Sequence, residues 1–190
     1  MLNSINKFQF IFIILIPFVL LSACDDLQAL DNIITENGEN TGYEKVTADF
    51  VRVIDGDTIV VNLDGKEEDI RLLLIDTPES VHPDEPKQPY GDESSEFAED
   101  YFKNVDEVQL EIGEEERGKY GRLLAHVFVD DENFNKLMVE KGYARVAYVQ
   151  EPNTKYIDEF NEAEEDAKNN EKKIWSIDNY VSENGFNDEQ

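Results

Sequence analysis

Residues 46–75 read VTADFVRVIDGDTIVVNLDGKEEDIRLLLI. Three β-branched or leucine-rich runs, at 46–54, 58–63 and 69–75, are separated by Asp55-Gly56-Asp57 and by Asp64-Gly65-Lys66. An Asp-Gly pair between apolar runs is a strong hairpin signal, because a two-residue turn needs positive φ angles that Asp and Gly tolerate. The stretch therefore predicts three antiparallel strands.

Downstream, Pro78, Pro83, Pro86 and Pro89 break the chain into a loop, after which Phe97, Tyr101, Phe102 and Val105 fall at helical spacing. Residues 108–112 and 123–129 read as two further strands around a polar turn. Phe134, Leu137, Met138 and Ala144 surround a second short helix, which Gly142 ends. Tyr156, Phe160, Ala163 and Ala167 make the stripe of a third helix, widened by Ile157, and Trp175 follows where a helix end packs. There is no internal repeat. Five short strands with helices between and after them predict an α+β, mainly β fold: a five-stranded Greek-key barrel of OB type with about three packing helices.

The chain has 190 residues, 40% hydrophobic and 11% aromatic, with 44 Asp plus Glu against 17 Lys plus Arg and a single cysteine. This is enough apolar matter for one domain with appendages, and it excludes both wholesale disorder and a disulfide scaffold. The net charge of −27 repels polyanions over a Debye length of about 8 Å, so any anion must be gripped locally.

Lys7 and the apolar run 8–21 form an export signal. As a membrane span it falls short: its helix would reach about 21 Å where the hydrocarbon core needs about 30 Å, and Pro17 interrupts it. Leu21-Ser22-Ala23-Cys24 resembles the lipobox of bacterial lipoproteins, which implies cleavage before Cys24 and its lipidation. The expected organisation is a leader at 1–23, an acidic flexible tether at 24–45, a folded domain at 46–180 and a disordered tail at 181–190. Loss of Lys7 with the leader takes the charge to −28. The tether reaches about 25 Å as a random coil, which holds the domain near the extracytoplasmic side of a membrane.

Chemistry concentrates between Asp55 and Glu79. Asp55 and Asp57, two apart on an extended chain, point to one side, and Asp76, Thr77 and Glu79 add oxygens at the end of the third run. Hard oxygen donors suit Ca²⁺. His82 and His126 are the only histidines, too few for a zinc site, and no nucleophile-elbow sequence supports a Ser-His-Asp triad. The segments starting at Asp55 and Asp130 lack the Gly and Glu that an EF-hand loop requires. Arg71 stands in an otherwise apolar run and Arg122 closes Lys119-Tyr120-Gly121-Arg122. A charge in such a run must be paired or serve a ligand. Residues 71 and 76 have opposite parity, so a regular strand would aim Arg71 and Asp76 at opposite faces unless it bends or ends first.

Val53-Ile54-Asp55-Gly56-Asp57-Thr58, the run Arg71 to Glu79, His82-Pro83, Tyr90-Gly91, Lys119 to Arg122 and Val146-Ala147-Tyr148-Val149 together resemble the thermonuclease, or staphylococcal-nuclease-like, family. The resemblance implies an OB barrel and a Ca²⁺-dependent phosphodiesterase that cuts DNA and RNA, with single strands preferred, to 3′-phosphate and 5′-hydroxyl ends. It implies Ca²⁺ bound by the carboxylates of Asp57 and Asp76 and the main-chain carbonyl of Thr77, with Asp55 nearby. Glu79 would orient or deprotonate the attacking water, Arg71 and Arg122 would bind the scissile phosphate, and Lys119, Tyr120 and Tyr148 would contact the nucleotide. A monomer is expected. Two positions depart from the pattern: Pro83-Asp84-Glu85-Pro86 is acidic, and Gln150 stands where a second tyrosine can occur. The alternatives are a noncatalytic OB module that holds single strands or a protein, and a structural Ca²⁺-binding lipoprotein.

Overall fold

A computed structural model of the chain describes residues 45–80 and 87–187. The leader, Cys24, nearly all of the tether, His82, the acidic loop 83–86 and residues 188–190 lie outside the described residues.

Strand β1 (Lys45–Asp55) starts on the last residue assigned to the tether and pairs antiparallel with β2 (Thr58–Leu63), which pairs with β3 (Lys66–Leu72). The β2–β3 turn is the expected one, with Asp64 at φ 53° and Gly65 at φ 82°. A register shift between Val53 and Asp55 bulges β1 where it enters the Asp55–Asp57 turn.

The run expected as one strand over 69–75 is two pieces. β3 ends at Leu72, Leu74 takes φ 66°, and β4 (Ile75–Asp76) sets off in a new direction. This left-handed turn dissolves the parity conflict between Arg71 and Asp76. Leucine is strained there, but its side chain is almost fully buried. The fully buried Asn135 amide donates to the carbonyls of Leu73 and Ala125 at 3.1 Å each, while its oxygen accepts the Val127 N–H at 3.0 Å. One side chain thus ties the turn to the barrel wall and leaves none of these groups orphaned.

Helix α1 (Gly91–Phe102) leads to the barrel strands β5 (Glu107–Arg117) and β6 (Leu123–Val129). The short strand β7 (Glu132–Asn133) precedes α2 (Phe134–Glu140), whose first turn is capped by the Asn133 side chain accepting from the Lys136 N–H. Strand β8 (Arg145–Val146) pairs with β4, setting Arg145 directly opposite Asp76. Helix α3 (Ile157–Asn169) buries Phe160, Ala163 and Ala167, as its stripe predicts.

The barrel order is β3-β2-β1-β5-β6, closed by a parallel β3–β6 pairing in which Ile70 faces Leu123 and Leu72 faces Ala125. It is the expected five-stranded barrel, and closure removes the sheet edges. Ile59, Val61, Ile70, Leu72, Leu110 and Val127 fill it, all almost fully buried; each such side chain contributes about 1.5–3 kcal/mol of transfer free energy. At the mouth, Phe102 of α1 stacks on Phe50 at 4.8 Å and meets Phe134 edge-on at 4.6 Å.

Residues 181–187 do not fray as expected. Strand β9 (Val181–Ser182) pairs with β10 (Gly185–Phe186), and the Asn187 N–H donates to the Tyr180 carbonyl at 2.8 Å. The buried Tyr180 ring packs 5.3 Å from Phe186 and anchors the hairpin. The signal for it was the turn dipeptide Asn184-Gly185, set among polar residues that otherwise read as a tail.

Candidate active site

Asp57 is the hub of the polar cluster. Its Oδ2 accepts from the Thr77 N–H (3.0 Å) and hydroxyl (3.2 Å), its Oδ1 accepts from the Thr58 hydroxyl (3.1 Å), and its own N–H donates to Asp55 Oδ1 (3.0 Å). These bonds knit the Asp55–Asp57 turn to the segment after β4. The Thr77 N–H is held by a side chain rather than a strand partner.

Arg71 lies against the same carboxylate, with Nη2 3.2 Å from Asp57 Oδ2 and 3.7 Å from Asp76 Oδ1. Two of its five donors are committed to main-chain carbonyls, Nη1 to Leu72 (2.7 Å) and Nη2 to Ile75 (2.9 Å), which the Leu74 turn brings together. Arg71 therefore staples the turn and brings Asp57 and Asp76 to face one point. Asp76 is further held by Arg145, whose Nε donates to Oδ2 at 2.9 Å. Arg145 belongs to none of the motifs quoted from the sequence, although it is a cation among the apolar residues leading into Tyr148.

Three carboxylates thus crowd around two guanidiniums. Burial, then the Asp57 charge, pushes the Asp55 carboxyl up to about 7, and the same two causes in the same order raise that of Asp76. The cluster is short of positive charge. Its donors are carboxylate, hydroxyl and main-chain oxygens, with no thiolate or imidazole, and so fit a hard divalent cation such as Ca²⁺. Among the described residues no three His, Cys, Asp or Glu side chains form a ready metal cluster; further ligands to such an ion would be main-chain oxygens or water.

Glu79 is half-buried, two residues past Thr77. Its backbone is clamped by Gln88, whose side-chain oxygen accepts the Glu79 N–H (2.8 Å) and whose N–H donates to the Glu79 carbonyl (2.9 Å). Gln88, too, was invisible to a reading based on reactive residue types.

Arg71 also lines a groove of about 440 Å³ together with Arg122, Lys119, Tyr120, Tyr148 and Gln150. The Arg122 side chain reaches the Thr58 hydroxyl by a long bond, Nη1 to Oγ1 at 3.4 Å. Tyr120 and Tyr148 are 76% and 64% exposed, so both rings are open to a flat partner. The Tyr148 ring lies 5.2 Å from the Arg71 guanidinium, and its hydroxyl is 3.5 Å from Asp76 Oδ1. The residues expected to contact a nucleotide therefore share one groove, and Arg71 joins it to the carboxylates. A larger cavity of about 570 Å³ between α2 and α3 is lined by charges such as Lys136 and Glu140, which pair with each other at 2.6 Å, and it has no convergent arrangement of this kind.

Residues 69–177 match the family model described as staphylococcal nuclease homologue. The chain is 48% identical over 159 residues to the endonuclease YncB of Bacillus subtilis, covering 80% of this chain and 75% of that protein. It is 42% identical over 130 residues to the thermonuclease of Staphylococcus hyicus, covering 68% and 76%. Against the SPbeta prophage-derived endonuclease YokF of Bacillus subtilis it is 46% identical over 145 residues, 76% of this chain, but it spans about half (49%) of that relative's length. With its barrel and these matches in agreement, the chain belongs to the staphylococcal nuclease homologue family.

Proposed function

We propose that the protein is a Ca²⁺-dependent nuclease that hydrolyses single-stranded DNA and RNA to 3′-phosphate and 5′-hydroxyl ends, exported and tethered to a membrane through Cys24. The observation that carries the chemistry is the double role of Arg71, shared between the carboxylate pair and the groove that also contains Arg122. The endonuclease and thermonuclease relatives support the reaction class.

Asp57, Asp76 and the Thr77 carbonyl would hold Ca²⁺, which supplies positive charge against the phosphoryl oxygens. Glu79 takes a proton from the attacking water as its oxygen bonds to phosphorus. The phosphorus–O5′ bond breaks, the leaving oxygen takes a proton from solvent water to become the 5′-hydroxyl, and Glu79 returns its proton to solvent. The Arg71 and Arg122 forks bind the phosphate oxygens as charge builds on them. Tyr120 and Tyr148 offer exposed rings to bases, which favours strands whose bases are unstacked.

The test is incubation of the purified chain with end-labelled single-stranded DNA in Ca²⁺ or in chelator. Ca²⁺-dependent cleavage leaving 3′-phosphate ends supports the proposal. Strand binding without cleavage points to a noncatalytic module, and Ca²⁺ binding without cleavage to a structural lipoprotein.

Gly91 opens α1 against the Glu79 main chain: a Cβ there would overlap the Glu79 carbonyl oxygen and lie 2.9 Å from its carbonyl carbon. Gly91→Ala is therefore expected to displace Glu79 and lower kcat about 100-fold, the scale of a catalytic group misplaced by about 1 Å, with a folded circular-dichroism spectrum. Wild-type kcat would show that Glu79 needs no such support.

The net charge of −27 repels the substrate before local contacts form. At saturating Ca²⁺, kcat/KM is expected to rise from the lowest ionic strength to about 0.1 M, as screening shortens the Debye length toward about 10 Å. A monotonic fall with salt, the behaviour of basic nucleic-acid binders, would count against it.

A further inference from the structure

The carboxyl-terminal hairpin β9–β10 lies beyond residue 177, where the family match ends, yet it touches the inner side of the site. Arg145 is the connection. The residue is 8% exposed, its Nε grips Asp76 Oδ2 at 2.9 Å, and its Nη1 donates to the carbonyls of Ser182 at 3.4 Å and Glu183 at 3.3 Å in the hairpin turn. Phe186 of β10 places its ring 5.8 Å from the same guanidinium. At the root of the hairpin, the Tyr180 hydroxyl donates to the Pro89 carbonyl at 2.7 Å, next to the Gln88 that clamps Glu79.

Building on the nuclease reading above, we infer that β9–β10 is a strap that positions Asp76 for Ca²⁺ through Arg145. A long guanidinium stem has many rotamers, and two carbonyls and a ring hold this one in a single pose. Arg145 then occupies Oδ2, so the carboxylate cannot rotate and presents Oδ1, the oxygen nearest Arg71 and Tyr148. The hairpin reaches Arg145 through two neutral main-chain carbonyls and the uncharged Phe186 ring. Its effect on the ion is therefore one of geometry. Partners of this kind, one contact removed from a metal ligand, change metal affinity about 10- to 100-fold when altered.

Two substitutions in the full chain separate geometry from charge. Gly185 sits at φ +130°, a conformation that side chains resist, and has nothing within 4 Å of where a Cβ would stand. Gly185→Val therefore strains the hairpin with no change of charge. Arg145→Lys keeps the positive charge beside Asp76 but loses the fork that spans carboxylate and carbonyls. Calorimetric titration of Ca²⁺ alone into each protein, without nucleic acid, is expected to show Kd raised about tenfold in both. The double variant should be no weaker than Arg145→Lys, because both act through one contact. The Ca²⁺ concentration for half-maximal cleavage should shift by the same factor.

Unchanged or tighter Ca²⁺ binding in Arg145→Lys, which is the milder change and decides the matter if Gly185→Val does not fold, overturns the strap while leaving the nuclease reading intact. Failure of the wild-type chain to bind Ca²⁺ overturns both.

Discussion

Arg122→Lys is expected to lower kcat by about 100-fold or more, with Tm nearly unchanged. Among the described residues the Arg122 side chain makes one long hydrogen bond, 3.4 Å to the Thr58 hydroxyl, and it is only half-buried. Its replacement therefore removes little native structure. Its value lies in the planar fork that can hold two oxygens of one phosphate as they gain charge, a geometry that a lysine ammonium cannot reproduce. Losing one preorganised donor to a developing oxyanion typically lowers kcat about 10²- to 10³-fold. Arg71 is the contrasting case. It bonds the Leu72 and Ile75 carbonyls and faces Asp57 and Asp76, so a loss of activity in Arg71→Lys would mix chemistry with collapse of the turn. Steady-state kinetics and a thermal melt on Arg122→Lys check the point, and near-normal turnover would refute bidentate phosphate binding.

Glu79→Gln is expected to lower kcat about 10²- to 10⁴-fold, the range of a general base, while Ca²⁺ still binds. The neutral amide keeps the shape of the side chain but cannot accept a proton. The Glu79 main chain, clamped on both sides by Gln88, should stay in place. Single-turnover rates give the first quantity and calorimetry the second. If Ca²⁺ binding vanished with the activity, Glu79 would be a metal ligand rather than a partner of the attacking water.

The parts of the fold that alternate or punctuate strongly could be read from the residues. Asp64-Gly65 specifies its turn through positive φ, and the stripe of α3 buries the residues it should. The break at Leu73-Leu74 could not be read this way. No Gly, Asn or Pro marks it, and leucine is held in a left-handed conformation by burial and by Asn135, whose contact lies 62 residues away. That one turn decides whether Arg71 and Asp76 meet, so strand parity alone gave a conflict. Chemistry-bearing residues were legible because Asp, Glu and Arg in apolar surroundings stand out. Arg145 and Gln88 were not, because their importance comes from what they touch: an aspartate 69 residues away and the main chain of Glu79. The hairpin at 181–186 was announced only by Asn184-Gly185 and was masked by a polar composition.

The most direct test of the account is a crystal structure of the chain grown with Ca²⁺ and a nucleoside 5′-phosphate. It should show one ion about 2.3–2.6 Å from carboxylate oxygens of Asp57 and Asp76 and from the Thr77 carbonyl, with Arg71 and Arg122 on the same phosphate. An ion seated elsewhere, or the two arginines on separate anions, would contradict it.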